Sequence, residues 1–268
     1  MIFVTKATGE KEPFSEEKVQ SSIERAQIPK EIQEQVLAHV KEKIYNDIPT
    51  SEIYHHISEF LNKSHPHEKA KYSLKQAIMK LGPTGYPFED FVSEVLKTQG
   101  YTTKVRSIIQ GKCITHEVDV VASLQKEKLL IEAKFHNLPG KKTNVHVALY
   151  TKARFEDVKD DNNFTNAWIV TNTKTTTDTI AYALCNNMKI VSWSYPDGNG
   201  LRDIVEKSGL HPITALNFLS FAQKQVLLQH HVVLCKDIVK NESFLDVLGI
   251  DREKREKIID EAKYLSES

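Results

Sequence analysis

Three strand-like segments in close succession constrain this chain more than any other feature. Tyr101 to Ile109, Ile114 to Leu124 and Lys128 to Phe135 carry strand patterning, and only short turns separate them. Helical patterns flank them at Phe88 to Thr98 and Val145 to Val158. A strand at Ala167 to Thr171, a helix at Thr177 to Asn187 and a strand at Ile190 to Trp193 follow. Strands alternating with helices in this order predict an α/β sandwich built on a mixed sheet.

Outside that region the pattern is helical. Ile2 to Thr5 reads as a short strand, Thr8-Gly9 as a turn, and Glu12-Pro13-Phe14 as the exit into a helix capped by Ser15 and closed by Pro29. Helices are expected from Glu31 to Tyr45, Ser51 to Asn62 and Pro66 to Leu81, the last starting on a proline and stopped by Gly82-Pro83. Gly82-Pro83-Thr84-Gly85 is the clearest linker. After Pro212 the predicted helices are Ile213 to Gln229, Val232 to Lys240 and Arg252 to Leu265. The expectation is an α/β multidomain chain: a unit at 1–82, a linker at 83–86, an α/β domain at 87–207 and a helical extension at 208–268. At 268 residues and 40% hydrophobic content, each unit can bury a core of its own.

Lys plus Arg equals Asp plus Glu at 36 each, so only the distribution of charge can speak about partners. Cys113, Cys185 and Cys235 are far apart and form no C-x-x-C pair, which disfavours a zinc ribbon or disulfide framework and fits a reducing, cytoplasmic setting. No apolar run reaches the ~20 residues that span a bilayer, and MIFVTKATGEKEPF lacks the apolar stretch of a secretory signal. A protein with no membrane partner is expected.

The chemistry concentrates in two strands. His116 opens H-E-V-D-V-V-A, and thirteen residues after Asp119 comes I-E-A-K with Glu132 and Lys134. Side chains two apart on a strand share a face, so Glu132 and Lys134 project together while Ile131, Ala133 and Phe135 face the other way. Two converging carboxylates make a hard oxygen site suited to Mg²⁺ or Mn²⁺, with Asp119 and Glu132 as metal ligands. An adjacent ammonium then has a purpose, because phosphodiester hydrolysis needs an activated water and positive charge where the transition state becomes more anionic. E-x-K alone is commonplace, but the Asp at hairpin distance, the surrounding element order and Glu89 in the leading helix strengthen it.

These residues resemble the PD-(D/E)xK nucleases, and within them the Mrr-type restriction endonuclease family, over about residues 86 to 205. The matching positions are F-E-D-F with Glu89, Gly100-Tyr101, Val118-Asp119-Val120, Glu132-Ala133-Lys134, Ile169-Val170-Thr171 and Ala181-Tyr182-Ala183. The resemblance implies a restriction-endonuclease-like αβββαβ core with catalytic Glu89, Asp119, Glu132 and Lys134. The family's Gln-x-x-x-Tyr register reads His146-Val-Ala-Leu-Tyr150 here, which nominates His146 and Tyr150 and departs from the pattern at the first position. His116 is a further candidate near the metal, or a strand-end cap.

Charge supports a nucleic-acid surface around this site. From Lys97 to Arg154 there are eleven Lys and Arg against four acids, whereas from Phe155 to Lys207 five bases stand against eight acids. Phosphate neutralisation supplies most non-specific DNA affinity, so Lys104, Arg106, Lys112, Lys141 and Lys142 are expected to contact nucleic acid.

Residues 1 to about 82 resemble an ATP-cone, a helical nucleotide-sensing domain with a short β-hairpin. The matching features are Val4-Thr5-Lys6, Thr8-Gly9, Glu12-Pro13-Phe14, Glu17-Lys18-Val19, Ile48-Pro49-Thr50-Ser51 and Ala70-Lys71-Tyr72. The resemblance nominates Val4, Lys6 and Lys18 for ATP or dATP, with lysines from a strand end and a helix start facing the triphosphate. Ala7 stands where the family carries a second basic residue. Val247-Leu248-Gly249-Ile250-Asp251 and the charged helix after it distantly resemble a helix–hairpin–helix.

The reading is an Mg²⁺-dependent DNA endonuclease regulated by a purine nucleoside triphosphate, acting as a homodimer, since that meets a double-strand cut most simply. Two rivals are a nucleotide-responsive DNA-binding regulator with a silent nuclease fold and an assembly protein. The absence of a zinc ribbon and the intact Asp119, Glu132 and Lys134 argue against the first.

Overall fold

A computed structural model describes residues 2–6 and 8–267, so Ala7 lies outside the described residues. The N-terminal unit contains β1 (Phe3–Thr5), β2 (Lys11–Pro13), α1 (Glu16–Arg25), α2 (Lys30–Lys43), β3 (Ile48–Pro49) and α3 (Thr50–Ser64), followed by α4 (Pro66–Tyr72) and α5 (Leu74–Met79). β1 pairs antiparallel with β2 and parallel with β3. The Ser15 hydroxyl accepts from Lys18 N at the start of α1, and Val4, Ile23, Val36, Ile48, Ile57 and Leu61 fill a core belonging to this unit.

The helix expected from Pro66 to Leu81 is two helices meeting at Ser73, whose φ of −87° and ψ of 13° close one and open the next. Their apolar face goes elsewhere. Ala70, Leu74, Ala77, Ile78 and Leu81 join the core of the following domain. Gly82 is similarly fixed: a Cβ there would lie 2.4 Å from Asn137 Oδ1 and 2.8 Å from the Phe135 ring, so the expected linker is packed down.

The next domain begins with α6 (Tyr86–Thr98), β4 (Thr102–Gln110), β5 (Thr115–Leu124), β6 (Glu127–Lys134) and α7 (Val145–Asn162). It continues with β7 (Asn166–Thr171), α8 (Thr177–Cys185), β8 (Lys189–Val191) and α9 (Leu201–Lys207), a short helix the sequence reading lacks. The sheet order is β4-β5-β6-β7-β8, antiparallel from β4 to β6 and parallel from β6 to β8. This is the mixed sheet expected. Phe88, Phe91, Val92, Val95 and Leu96 recur at helical spacing and bury α6 on one face with Leu129, Ile131 and Ala133. Leu130, Ala148, Phe155, Val158 and Ala183 fill the opposite face beneath α7 and α8.

The extension contains a 3₁₀ turn at Ile213–Ala215, α10 (Phe221–Gln229), α11 (Cys235–Lys240), a second 3₁₀ stretch at Glu242–Leu248 and α12 (Arg252–Ser266). The continuous helix expected from Ile213 to Gln229 is therefore broken. Its cause lies on α12, where the Glu261 carboxylate, 1% exposed, accepts from Asn217 N at 2.9 and 2.8 Å and from Phe218 N at 3.3 Å. Ser220 then caps α10 afresh.

The resemblance to a helix–hairpin–helix also fails locally. The Gly249 turn, at φ +57°, follows a 3₁₀ stretch, and Arg252, Arg255 and Lys257 pair with Glu256, Asp246 and Glu253. These helices pack on α4 and α5 through Tyr264–Glu68 and Thr214 Oγ1, which donates to Ala77 O at 2.6 Å. Among the described residues no helix is long and apolar enough to cross a membrane.

Candidate active site

Asp119 and Glu132 face each other where β5 and β6 part. The ladder runs from Leu124↔Glu127 to Val120↔Ile131, so these two residues are the next facing positions. There Asp119 Oδ2 accepts the Ala133 N–H at 2.7 Å. On the other side, β4 pairs Val105 with Val120 and Ser107 with Val118, which puts Arg106 opposite Asp119. One row thus crosses three strands as Arg106, Asp119, Glu132. Lys134 follows Glu132 on the same face, half-buried.

The two carboxylates are confined. Burial raises the Asp119 pKa against the Ala133 hydrogen bond and the nearby Arg154. Burial, then repulsion from Asp119, pushes the Glu132 carboxyl up to about 7. Two acids held together out of water resist joint ionisation, and a divalent cation between them removes that resistance. Among the described residues no cluster of three or more His, Cys, Asp or Glu has metal spacing. The carboxylate pair on its own matches a hard cation that takes one or two protein carboxylates and completes its shell with water, as Mg²⁺ does.

Arg154 is the site residue that sequence reasoning missed. From α7 its Nη1 donates to Glu132 Oε2 at 2.8 Å, its Nη2 donates to the Tyr150 hydroxyl, and the guanidinium lies over the Tyr150 ring at 4.3 Å. Arg154 is 8% exposed, and its Nε is buried without a partner among the described residues. The available signal was Tyr150-x-x-x-Arg154, one turn on a helix that follows the E-x-K strand.

Glu89 reaches the row from α6. Burial, then repulsion from Asp119, pushes it up to about 7 against the opposing Arg106. The sequence puts Arg106 on the DNA-facing side, but its guanidinium turns inward, donating to Glu89 Oε2 at 3.1 Å and Asp90 Oδ1 at 2.7 Å. Its φ of +47°, a conformation that costs a non-glycine residue about 1 kcal/mol, interrupts the regular strand at that point. His231 Nδ1 holds the other Asp90 oxygen at 2.9 Å.

The remaining candidates divide. Lys104, Lys112, Lys141 and Lys142 are exposed, Lys104 on the edge strand β4. His146 and Tyr150 are also exposed, and only Tyr150 reaches the site, through Arg154. His116 Nε2 lies 2.8 Å from Asp157 Oδ2, and Asp157 also accepts from Cys113 N and Ile114 N, so His116 secures the β4–β5 turn.

In the N-terminal unit Glu12 binds both nominated lysines, Lys6 at 2.8 Å and Lys18 at 2.9 Å. Glu12 and Lys18 border a cavity of about 230 Å³ also lined by Val4, Phe14, Ile53 and Tyr54. Aromatic and aliphatic walls with cations at the rim suit a nucleotide, whose phosphates would compete with Glu12 for the lysines.

Residues 2–79 match the ATP cone domain family, 82–202 the restriction endonuclease family and 211–266 the family described as AF1548-like, C-terminal. Over 176 residues the chain is 39% identical to an uncharacterized protein of Archaeoglobus fulgidus, covering 64% of this chain and 98% of the relative. A crystal structure of a protein of unknown function, AF1548, aligns with a TM-score of 0.59 at 38% identity, over 67% of this chain and 97% of that one.

Proposed function

We propose, since this chain belongs to the family of the Archaeoglobus fulgidus protein and joins an ATP cone to a restriction endonuclease domain, that it is an Mg²⁺-dependent DNA endonuclease under nucleotide control. The carrying observation is the row that sets Asp119 beside Glu132, with Lys134 two residues further along the same strand face. Asp119 and Glu132 would hold Mg²⁺ or Mn²⁺, which supplies Lewis acidity and an acidified water.

The chain's own groups do the rest. The Ala133 N–H fixes the Asp119 carboxylate, Arg154 fixes Glu132, and the Lys134 ammonium steadies the attacking water and the growing charge on the phosphoryl oxygens. Glu89 lies behind Asp119 as an outer group held by Arg106. Lys104, Lys112, Lys141 and Lys142 bind backbone phosphates. A homodimer in the cytoplasm completes the reading.

Cleavage of plasmid and of single-stranded DNA with Mg²⁺ or Mn²⁺, and its loss on chelation, is the test. One observation favours the silent-fold regulator: Arg154 already neutralises part of the Glu132 charge. DNA binding without cleavage under either metal would establish that rival.

Nucleotide control has its own expected result. ATP or dATP binds the cone cavity, and Lys6→Ala or Lys18→Ala weakens it by roughly tenfold, the loss of one charge-assisted contact. Linkage requires reciprocity: if nucleotide alters the nuclease, bound DNA alters nucleotide affinity by the same factor. Calorimetric titration with and without non-cleavable DNA measures both. Identical nucleotide affinities, together with an unchanged cleavage rate, leave the cone a tether only.

A further inference from the structure

Between the N-terminal unit and the nuclease domain lies a second cavity, of about 190 Å³. Arg25 of α1, Lys71 of α4, Lys75 of α5 and Arg202 of α9 line it, against Glu206 as the single acid. Among the described residues Arg25, Lys71 and Lys75 have no carboxylate within ion-pair distance, whereas Arg202 donates to Asp203 at 2.7 Å. Lys71 lies over the Tyr264 ring at 4.5 Å and Lys75 over Trp193 at 5.7 Å, contacts that hold the ammonium groups without neutralising them. Burial, then repulsion from Lys174 and Arg202, lowers the Lys75 pKa.

An amide also borders the cleft. The Gln76 side chain lines the same cavity, and its Oε1 is buried with no hydrogen-bond partner among the described residues. The oxygen is an acceptor, so the –NH₂ on the same side chain is the half that can donate to an anion in the cavity.

We propose that this cleft is an anion site for two linked phosphate groups, held by Arg25, Lys71 and Lys75 with the Gln76 amide. Charge selects the class, because three cations without carboxylate partners match the several negative charges of two linked phosphates. The ligand is a free pyrophosphate or the diphosphate end of a nucleotide. It joins α1 to α4 and α5, and α9 borders it through Arg202 and Glu206. The stacked Tyr54 and Tyr72 rings, 5.1 Å apart, line both this cavity and the cone cavity, so the two sites share a wall.

Calorimetry of the full chain with inorganic pyrophosphate in EDTA tests this without involving the metal site, and a parallel titration uses ADP. Pyrophosphate binds the wild type, and Arg25→Ala with Lys75→Ala weakens it by more than roughly tenfold, while Lys6→Ala with Lys18→Ala leaves it within roughly twofold. Arg25→Gln with Lys75→Gln keeps most of the packed stems and must show the same loss with an unchanged melting temperature. If ADP binds and pyrophosphate does not, and the cleft variants weaken ADP, the diphosphate end of a nucleotide is the source. Absence of binding of either probe at millimolar concentration overturns the proposal, as does loss confined to the Lys6 and Lys18 variants.

Discussion

Asp119→Ala, Glu132→Ala and Lys134→Ala each reduce the single-turnover rate of DNA cleavage by about 10²–10³-fold or more, the scale on which one electrostatic contact to a transition state is felt. DNA affinity measured in chelator stays close to wild type. The argument is positional: Glu132 and Lys134 share a face opposite Ile131 and Ala133, so truncating them leaves the α6 core intact, and Glu132→Gln keeps an acceptor for the buried Arg154. Asp119→Ala also deprives Ala133 N of its acceptor. Asp119→Asn keeps an oxygen there and isolates the chemical loss. Wild-type rates in all three alanine variants would end the nuclease assignment.

Glu261→Ala lowers stability by about 3 kcal/mol or more, because hydrogen bonds to charged groups contribute about 1.5–3 kcal/mol each and their loss strands buried N–H groups. This carboxylate takes the backbone N–H groups of Asn217 and Phe218 and the Asn217 amide at 2.7 Å, and it is almost wholly out of water. Denaturant unfolding reads the change, and amide exchange at Asn217 and Phe218 locates it. Glu261→Gln retains one acceptor and falls between the two. A loss below about 1 kcal/mol, the ordinary effect of a point substitution, contradicts the role given to Glu261.

Those same residues show what was legible. The α6 stripe, the strands β4 to β6 and the E-x-K face could be read because their patterns are local, repeating every 3.6 or 2 residues. The break at Asn217 could not, since the carboxylate that causes it comes from a residue 44 positions later. Arg154 and Arg106 were hidden similarly: their partners lie 22 and 17 residues away in the chain, on other elements. Arg106 misled further, because a count of basic residues does not say which way each one turns, and this guanidinium turns to Glu89 and Asp90. His116 was read as open between metal and cap, and Asp157, on α7, decides for the β4–β5 turn.

The burial of α4 and α5 in the nuclease core has a consequence for how a signal can travel. The chain changes domain in sequence near Gly82, but it changes core within α4, where Ala70 joins the neighbour while Tyr72 still packs on the N-terminal core, and α5 lies wholly in the neighbour's interior. These two units are not beads on a string. A fragment cut at Gly82 would bare the faces of Leu74, Ile78 and Leu81 and leave Thr214 without the Ala77 carbonyl. A ligand bound against α3, as proposed for the cone cavity, would therefore move a lever whose far arm is embedded beside α6 and the C-terminal helices. Close-packed interiors transmit small displacements instead of absorbing them.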